Sequence, residues 1–176
     1  LTRSIPANTY EASYQPVIVK RSLEKSDALS MMHSLKPSIA TRKIAILVAE
    51  GVDESSLKTV KTALESEGAM ADIIGPRLGY ILSDKNEEIK VNKSFLTTAS
   101  VLYDAVYVPG GTNSVAALEA EADAIHFLNE AFKHCKAIAA DASALPVLKA
   151  TYFGRKIPED YTQTAELLEG VIINDN

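Results

Sequence analysis

From residue 42 onward, runs of apolar residues alternate with amphipathic stretches. The first run, Lys43 to Ala49, is apolar after its opening lysine and rich in β-branched residues, as in a parallel strand that is buried on both faces. Shorter apolar runs predict further strands, over residues 71–75, 104–109 and 136–140. Helical periodicity between the runs predicts helices over residues 53–67 and 113–133, the second broken near Glu121, and another that starts at Ser143. This alternation predicts an α/β fold built on a doubly wound parallel sheet.

Three local patterns add detail to this fold. Residues 79–91 predict a small antiparallel excursion, because two short apolar runs flank a cluster of turn residues at 84–86. Asp53 is the expected N-cap of the first helix, and Gly68 its terminator. Val171 to Ile173 predicts one more strand, at an edge of the sheet.

Residues 1–41 lack this alternation. They contain Pro6, Pro16 and Pro37 and have no periodic apolar stripe, so they predict an extended linker or arm that lies on a neighbouring surface. Residues 42–176 then form the folded domain, which is long enough to bury a sizeable core. The chain opens at Leu1 without an initiator methionine or an apolar leader, and we expect it to be a piece of something longer. No targeting signal is recognised in it, so no compartment is predicted.

The formal net charge of −5 is unevenly distributed along the chain. Residues 1–40 contain five basic and three acidic side chains, and residues 41–176 contain 13 basic and 20 acidic ones. An acidic domain repels phosphate backbones, so nucleic acid is not an expected partner. The chain has no long apolar run, and a membrane is not an expected partner either.

Cysteine and histidine show no pattern of a metal site. Cys135 is the only cysteine, and between a predicted helix and a strand a cysteine commonly serves as a small apolar residue. His33, His126 and His134 lack metal-ligand spacing with one another or with Cys135. We therefore expect no metal in this chain.

In a parallel α/β sheet, ligands bind at the carboxyl ends of the strands. The segments that follow the strands are Glu50 to Ser56, Pro109 to Asn113 and Asp141 to Ala144, and we expect them to meet in one crevice. The first segment carries three carboxylates, which would repel the phosphate of a nucleotide. No nucleotide cofactor is expected there.

The segment Ala140 to Ala144 has the small–x–nucleophile–x–small shape of a nucleophile elbow, but its centre is Ala142. A methyl group can neither attack a carbonyl nor transfer a proton. Taking Ser143 as a displaced nucleophile would put Asp141 and Leu145 at positions that should be small. Asp141 is a conceivable base, but capping the following helix is the more common use of such a residue.

Gly110 and Gly111 follow a predicted strand. They resemble the glycine turn that presents backbone N–H groups to an oxyanion in acyl-transfer enzymes. A plain strand-to-helix turn is the alternative interpretation.

Three segments taken together, K-I-A-I-L-V-A-E-G-V-D-E, D-A-V-Y-V-P-G-G and K-A-I-A-A-D-A-S-A-L, resemble the class I glutamine amidotransferase-like superfamily in its PfpI branch. The resemblance covers roughly residues 42–152 and is greatest to the C-terminal domain of large-subunit haem catalases, in a form similar to the fungal ones. It implies a flavodoxin-like three-layer sandwich.

The departures from the superfamily pattern concern the reactive positions. Active members carry a cysteine at the elbow, a glutamate in the turn after the first strand and often a histidine after the cysteine. The corresponding positions here hold Ala142, Ser56 and Ser143. The resemblance therefore implies a vestigial elbow, a vacant acid position at Ser56 and a vestigial oxyanion turn at Gly110 and Gly111, without thiol chemistry.

The function that the resemblance implies is that of a non-catalytic accessory domain. Its parent would be a catalase that dismutes hydrogen peroxide at a haem held upstream, outside this chain. The domain would stabilise the assembly through contacts with the parent core and neighbouring subunits. Related members are holdase chaperones, so unfolded client proteins are further expected partners, bound through apolar surface such as residues 14–19 and 95–102. The enzyme alternative is a cryptic PfpI-like hydrolase that uses Ser143 and Asp141.

Overall fold

The computed structural model describes residues 38–157, 165–168 and 170–174. Residues 1–37, most of the predicted arm, lie outside the described residues, and so does the apolar segment 14–19. The division into an arm of residues 1–41 and a domain of residues 42–176 therefore stays a prediction. Of the last arm residues, Thr41 donates a backbone hydrogen bond to the Gly68 carbonyl (2.8 Å).

The domain contains nine strands and four α-helices in the described ranges. The strands are β1 (Lys43–Leu47), β2 (Met70–Gly75), β3 (Gly79–Leu82), β4 (Glu88–Val91), β5 (Lys93–Ser94), β6 (Ala105–Val108), β7 (Ala137–Asp141), β8 (Ala165–Leu168) and β9 (Val171–Asn174). The helices are α1 (Glu54–Ser66), α2 (Thr112–Ala120), α3 (Ala122–Lys133) and α4 (Leu145–Lys149). The predicted strands and helices are thus confirmed within a few residues, although one turn of 3-10 helix, Ala142–Ala144, precedes α4.

Seven strands form one sheet in the order β5-β2-β1-β6-β7-β9-β8. All neighbours run parallel except β8 and β9, which are antiparallel. The doubly wound sheet is confirmed, and so is the antiparallel excursion, formed by β3 and β4. The prediction that Val171 to Ile173 lies at an edge is wrong, because β8 pairs with the outer side of β9. Val171 and Ile173 of β9 face the buried core.

The sheet separates two apolar cores, and β1 contributes to both. Ala45 and Leu47 belong to the core formed with α2, α3 and α4. Ile46 and Val48 belong to the core formed with α1 and the β3–β4 hairpin. Because alternate residues of a strand point to opposite faces, a strand between two cores needs an uninterrupted apolar sequence.

The helix ends follow the side-chain rules used above. Asp53 caps α1 by accepting a hydrogen bond from the Ser56 N–H (2.9 Å), and Gly68 follows the helix with φ +81°. Glu121 interrupts the predicted long helix with extended backbone and accepts from Asp123 N at the start of α3. Within the described ranges, no helix combines the length and apolar composition needed to cross a bilayer.

Candidate functional site

The carboxyl ends of β1, β6 and β7 meet in one crevice, as the topology requires. The turn at residues 109–111 packs directly on the start of α1, where the Asp53 N–H donates to the Gly110 carbonyl (2.9 Å). On its other side the Gly110 N–H donates to Asp141 Oδ2 at the end of β7 (2.8 Å). The three segments that the sequence assigned to the crevice are therefore joined by hydrogen bonds.

The centre of the crevice is the carboxylate of Asp141. Ser56 Oγ donates to Asp141 Oδ2 (2.5 Å) and the Tyr107 hydroxyl donates to Oδ1 (2.7 Å). The hydroxyl oxygens of Ser56 and Tyr107 lie 2.6 Å apart. With the Gly110 N–H, three donors converge on one carboxylate. Ser56, Tyr107 and Asp141 are buried. Ser56 and Asp141 are each 6% exposed and Tyr107 is 5% exposed.

The expectation that Asp141 caps the following helix is wrong. The Asp141 side chain makes no capping hydrogen bond to the 3-10 turn or α4. Its last strand position points the carboxylate inward, between β6 and α1, where unpaired hydroxyl and N–H donors would otherwise be buried at high cost. Pairing three donors with one acceptor is the more favourable use of the carboxylate.

Ser56 is the position at which active relatives of the superfamily are expected to carry a glutamate. It is not vacant in a physical sense, because its hydroxyl is bonded to Asp141 and lies against Tyr107. The carboxylate of this crevice thus comes from the end of β7 and not from α1.

Gly111 is needed for close packing in this crevice, and Gly110 leaves room for the Ser143 hydroxyl. A Cβ on Gly110 would clash with Ser143 Oγ and lie 3.3 Å from Asp141 Oδ2. Gly111 has φ +111°, and a Cβ there would clash with the Gly51 carbonyl oxygen and lie 2.6 Å from Asp53 N. The first N–H of the predicted oxyanion turn, that of Gly110, is already bonded to Asp141. This N–H is therefore an occupied donor, not an open one.

Ala142 lies immediately after β7, at the position of the elbow residue. Its backbone does not take the left-handed conformation, since the non-glycine residues with positive φ in the described ranges are Thr41, Asn86 and Cys135. A nucleophile elbow is a sharp, strained turn. The chain passes Ala142 in an unstrained 3-10 turn instead.

Ser143 and Asp141 do not form the pair that a hydrolase would need. Ser143 is exposed, and no hydrogen bond joins these two described side chains. The oxygens of Asp141 accept from Ser56, Tyr107 and Gly110 instead. A general base must lie within hydrogen-bond reach of the proton it removes.

Tyr107 is the site residue that the sequence reasoning missed. Burial raises the pKa of Tyr107 well above its usual value, and the hydrogen bond to Asp141 adds to the rise, while the bond with Ser56 opposes it. The phenol therefore stays neutral and remains a donor. A signal was present in the sequence, because a buried tyrosine in an apolar strand needs a partner for its hydroxyl.

The cysteine and the described histidines lie away from this crevice. Cys135 is exposed and has φ +53° where the chain turns from α3 into β7, so its expected role as a small buried residue is wrong. His126 and His134 are both exposed on α3, and His33 lies outside the described residues. Across the described part of the chain, no group of three or more histidine, cysteine, aspartate or glutamate side chains is placed to hold a metal ion.

Comparison with known proteins shows the family of this chain. The C-terminal domain found in long catalases matches residues 40–175. The chain belongs to that family. The catalase HPII of Mycobacterium avium is 37% identical to this catalase C-terminal domain over 143 residues, 81% of this chain and 20% of that protein. The catalase HPII of Pseudomonas aeruginosa is 42% identical over 122 residues, 68% of this chain and 17% of that protein.

The chain thus spans about a fifth of the length of these curated relatives. A solved DJ-1 superfamily protein from Salmonella typhimurium has the same fold, with a TM-score of 0.67, 20% identity and coverage of 77% of this chain and 82% of that one. The expected family and the expected flavodoxin-like architecture are both confirmed. The fungal character of this catalase C-terminal domain stays a prediction.

Proposed function

We propose that this chain is a non-catalytic accessory domain that stabilises the assembly of a long catalase. Its contribution is made through contacts with the parent core and neighbouring subunits. Dismutation of hydrogen peroxide belongs, in this proposal, to the part of the polypeptide outside this chain.

The observation that carries the non-catalytic part is the occupied carboxylate of Asp141. Its oxygens accept from Ser56, Tyr107 and Gly110, so the base and the oxyanion donor that chemistry would require are bonded to each other. The adjacent elbow position holds Ala142, which has no group that forms a bond with substrate. Such a crevice stabilises the fold. The proposed function of the domain is therefore contact with other parts of the catalase.

The haem of the parent is proposed to lie outside this domain. In catalases the haem iron is held by a tyrosine, inside a pocket whose polarity and access the protein controls. Tyr103 and Tyr107, the buried tyrosines of the described residues, donate their hydroxyls to the carboxylates of Asp72 and Asp141 inside the domain, and neither fits that role. No cofactor is therefore assigned to this chain.

The stabilising role is tested with the full-length catalase and a version that lacks residues 42–176. We expect deletion to lower the temperature and the denaturant concentration at which half of the peroxide-dismuting activity is lost. The initial activity per haem at low temperature should remain, because no residue of the domain takes part in the reaction. Equal midpoints for the two proteins would contradict the stabilising role.

A second candidate function, a holdase, is favoured by the exposed apolar side chains of residues 96–102. Leu96, Val101 and Leu102 are 82%, 68% and 60% exposed, and apolar patches of this kind bind other proteins. The test is light scattering of a heat-denatured client with the 176-residue chain present in several-fold molar excess. Suppression of aggregation that is lost in Leu96→Asp supports the holdase, and undiminished aggregation removes it.

A further inference from the structure

The loop between β5 and β6 combines exposed apolar side chains with a fixed backbone. Among the described residues with large aliphatic side chains, Leu96, Val101 and Leu102 of this loop are the most exposed. They fall within seven consecutive positions. We call residues 95–102, with the adjoining face of α3, the loop surface.

Backbone hydrogen bonds hold the loop surface in one shape. At its start, the N–H groups of Thr97 and Thr98 donate to the Ser94 carbonyl (2.9 and 3.1 Å), and Thr97 Oγ1 accepts from Ser94 N (3.0 Å). At its end, the Lys136 ammonium donates to the carbonyls of Ser100 (2.7 Å) and Tyr103. A cation that ties down two carbonyls fixes the turn from which Val101 and Leu102 project.

Aromatic packing anchors the same loop to the core. Phe95 and Tyr103 both contact Phe127 of α3, with ring centroids 6.3 and 6.0 Å apart. The Tyr103 hydroxyl donates to Asp72 Oδ2 (3.0 Å). The exposed aliphatic groups are thus presented on a rigid base, which lowers the entropic cost of binding a partner.

A groove of about 520 Å³ runs between the loop and α3, and its helical wall carries the carboxylates of Asp123 and Glu130 beside His126 and Phe127. Asp123 is exposed and its carboxylate has no charged partner among the described residues, while Glu130 is shared with Lys133 (3.3 Å) and His134 (3.6 Å). An apolar groove with a carboxylate rim favours a segment that brings apolar side chains together with a lysine or arginine.

Charge and chain length together select one occupant. A second copy of this domain is disfavoured, since residues 41–176 carry 13 basic and 20 acidic side chains and two acidic faces repel each other. The chain spans only 20% of the Mycobacterium avium catalase, so most of such a polypeptide lies elsewhere and is tethered to the domain. Tethering gives even a weak contact a high effective concentration.

We propose that the loop surface is the face by which the domain docks onto the rest of its catalase, covered by a basic and apolar segment of that polypeptide outside the domain. This inference rests on the proposed accessory function and adds the surface and the chemistry of the partner. It also restricts the holdase: client binding through Leu96 would belong to the detached chain, since the assembled catalase covers this side chain.

Thiol labelling in the full-length catalase tests coverage directly. Leu96→Cys and, as a matched control on the β3–β4 hairpin, Tyr80→Cys are each placed in a Cys135→Ser background, and modification is read at the labelled peptide by mass spectrometry. Tyr80 is 61% exposed. We expect the thiol at position 96 to react at least about tenfold more slowly than the thiol at position 80, because labelling then requires local opening. Equal rates would overturn the proposal.

A charge test addresses the nature of the occupant. Asp123→Lys should bring the labelling rate at position 96 closer to that at position 80, whereas Glu88→Lys, an exposed reversal on the hairpin, should leave it unchanged. Identical effects of the two reversals would reject the basic partner. Protection in the 176-residue chain alone that grows with concentration would replace the proposed occupant by a second copy.

Stability then separates this inference from the proposed function. Leu96→Asp with Leu102→Asp should lower the inactivation midpoint of the full-length catalase, and Leu78→Asp with Tyr80→Asp should not. If domain deletion lowers the midpoint but the loop variant does not, and position 96 labels freely, the docking surface is wrong and the accessory function stands. If position 96 is protected but deletion changes nothing, the stabilising function is wrong and the docking surface stands.

Discussion

The crevice around Asp141 and the loop surface around Leu96 differ in how their groups are satisfied. In the crevice, both oxygens of Asp141 accept hydrogen bonds from inside the domain, and no buried side-chain nitrogen or oxygen in the described ranges lacks a partner. On the loop surface, the backbone is bonded internally but Leu96 remains 82% exposed. One region is closed to a ligand, and the other is built to be covered by a partner.

This difference indicates which part of the fold has a function beyond the stability of the domain itself. Chemistry needs groups that are held in place but unpaired, such as a base and an oxyanion donor. Here Asp141 and Gly110 pair with each other, so the crevice contributes stability to the domain. On the loop surface, the exposed groups are mainly apolar side chains, beside the carboxylate of Asp123. Contact with another surface would remove these apolar groups from water.

The largest effect is expected from Asp141→Ala. Removing the carboxylate takes away three hydrogen bonds to a charged acceptor, at about 1.5–3 kcal/mol each. Ser56 and Tyr107 can then bond each other, since their oxygens lie 2.6 Å apart, and water entering the cavity can accept from the Gly110 N–H. Because these bonds recover part of the cost, we expect the free energy of unfolding to fall by about 3–5 kcal/mol. Urea unfolding monitored by circular dichroism measures it. A loss within about 1 kcal/mol would mean that the network does not stabilise the domain.

Two controls sharpen this experiment. Asp141→Asn retains an acceptor oxygen and the side-chain volume, so it should cost clearly less than Asp141→Ala. Formate should raise the unfolding midpoint of Asp141→Ala, since its carboxylate can bind the donors that lost Asp141 in the native state of the variant. Chloride at equal ionic strength should not. The wild-type domain, whose donors are already paired with Asp141, should respond equally to both salts.

Gly111→Ala should produce the next largest loss of stability. Gly79 provides a matched comparison, because its φ of +119° is close to the +111° of Gly111 but no atom lies within 4 Å of a Cβ built on Gly79. Strain alone should cost about 1–2 kcal/mol in Gly79→Ala, and the clash with Gly51 and Asp53 should add about 1–3 kcal/mol in Gly111→Ala. Equal losses of unfolding free energy in the two variants would show that the close contact of Gly111 with Gly51 and Asp53 does not add to the cost of a Cβ.

The order of strands and helices could be predicted from the sequence because burial imposes its period on the residues. Ile44 to Ala49 is apolar throughout because the strand faces two cores, and Asp53 is recognisable as a cap because its role is local. The edge strand β8 was missed. Ala165–Leu168 is short and gains its place by pairing with β9, which is a tertiary contact that no local pattern reports.

The candidate site was only partly predictable, for a related reason. The sequence located Ser56, Gly110 and Asp141 near one another, because parallel strands end at the same edge. It did not reveal which way the Asp141 carboxylate points. That orientation depends on Tyr107, 34 positions away, and on a hydroxyl of α1, so capping and inward pairing are indistinguishable until the fold brings these donors together.

A smaller effect is expected at alkaline pH from the tyrosine that anchors the loop surface. Burial, with a contribution from Asp72, raises the pKa of Tyr103 from 10.0 to about 12, against an opposing bond with Thr98. The neutral phenol is thus favoured in the folded state. Its contribution to stability is complete below pH 10 and is lost as the pH rises from 10 toward 12.

The measurement is the free energy of unfolding in urea at several values between pH 9 and pH 12. In Tyr103→Phe, the free energy of unfolding should fall less steeply with pH. Tyr80→Phe changes a tyrosine that is 61% exposed and should leave the slope as in the wild type. Parallel curves for all three proteins would show that the folded and unfolded states hold the Tyr103 proton equally.

The smallest effect is expected from Ser143→Ala, and it decides whether the crevice has any chemistry. Ser143 is exposed and accepts or donates no hydrogen bond to Asp141, so the free energy of unfolding should change by no more than about 0.5 kcal/mol. Any hydrolysis of an activated ester by the 176-residue chain should be equal in wild type and variant, since a serine without a base is a weak nucleophile. Activity that disappears in Ser143→Ala but survives in Ser55→Ala, a second exposed serine beside the crevice, would show that a base reaches Ser143 in solution. The crevice would then be open to substrate, and the contrast with the loop surface would no longer hold.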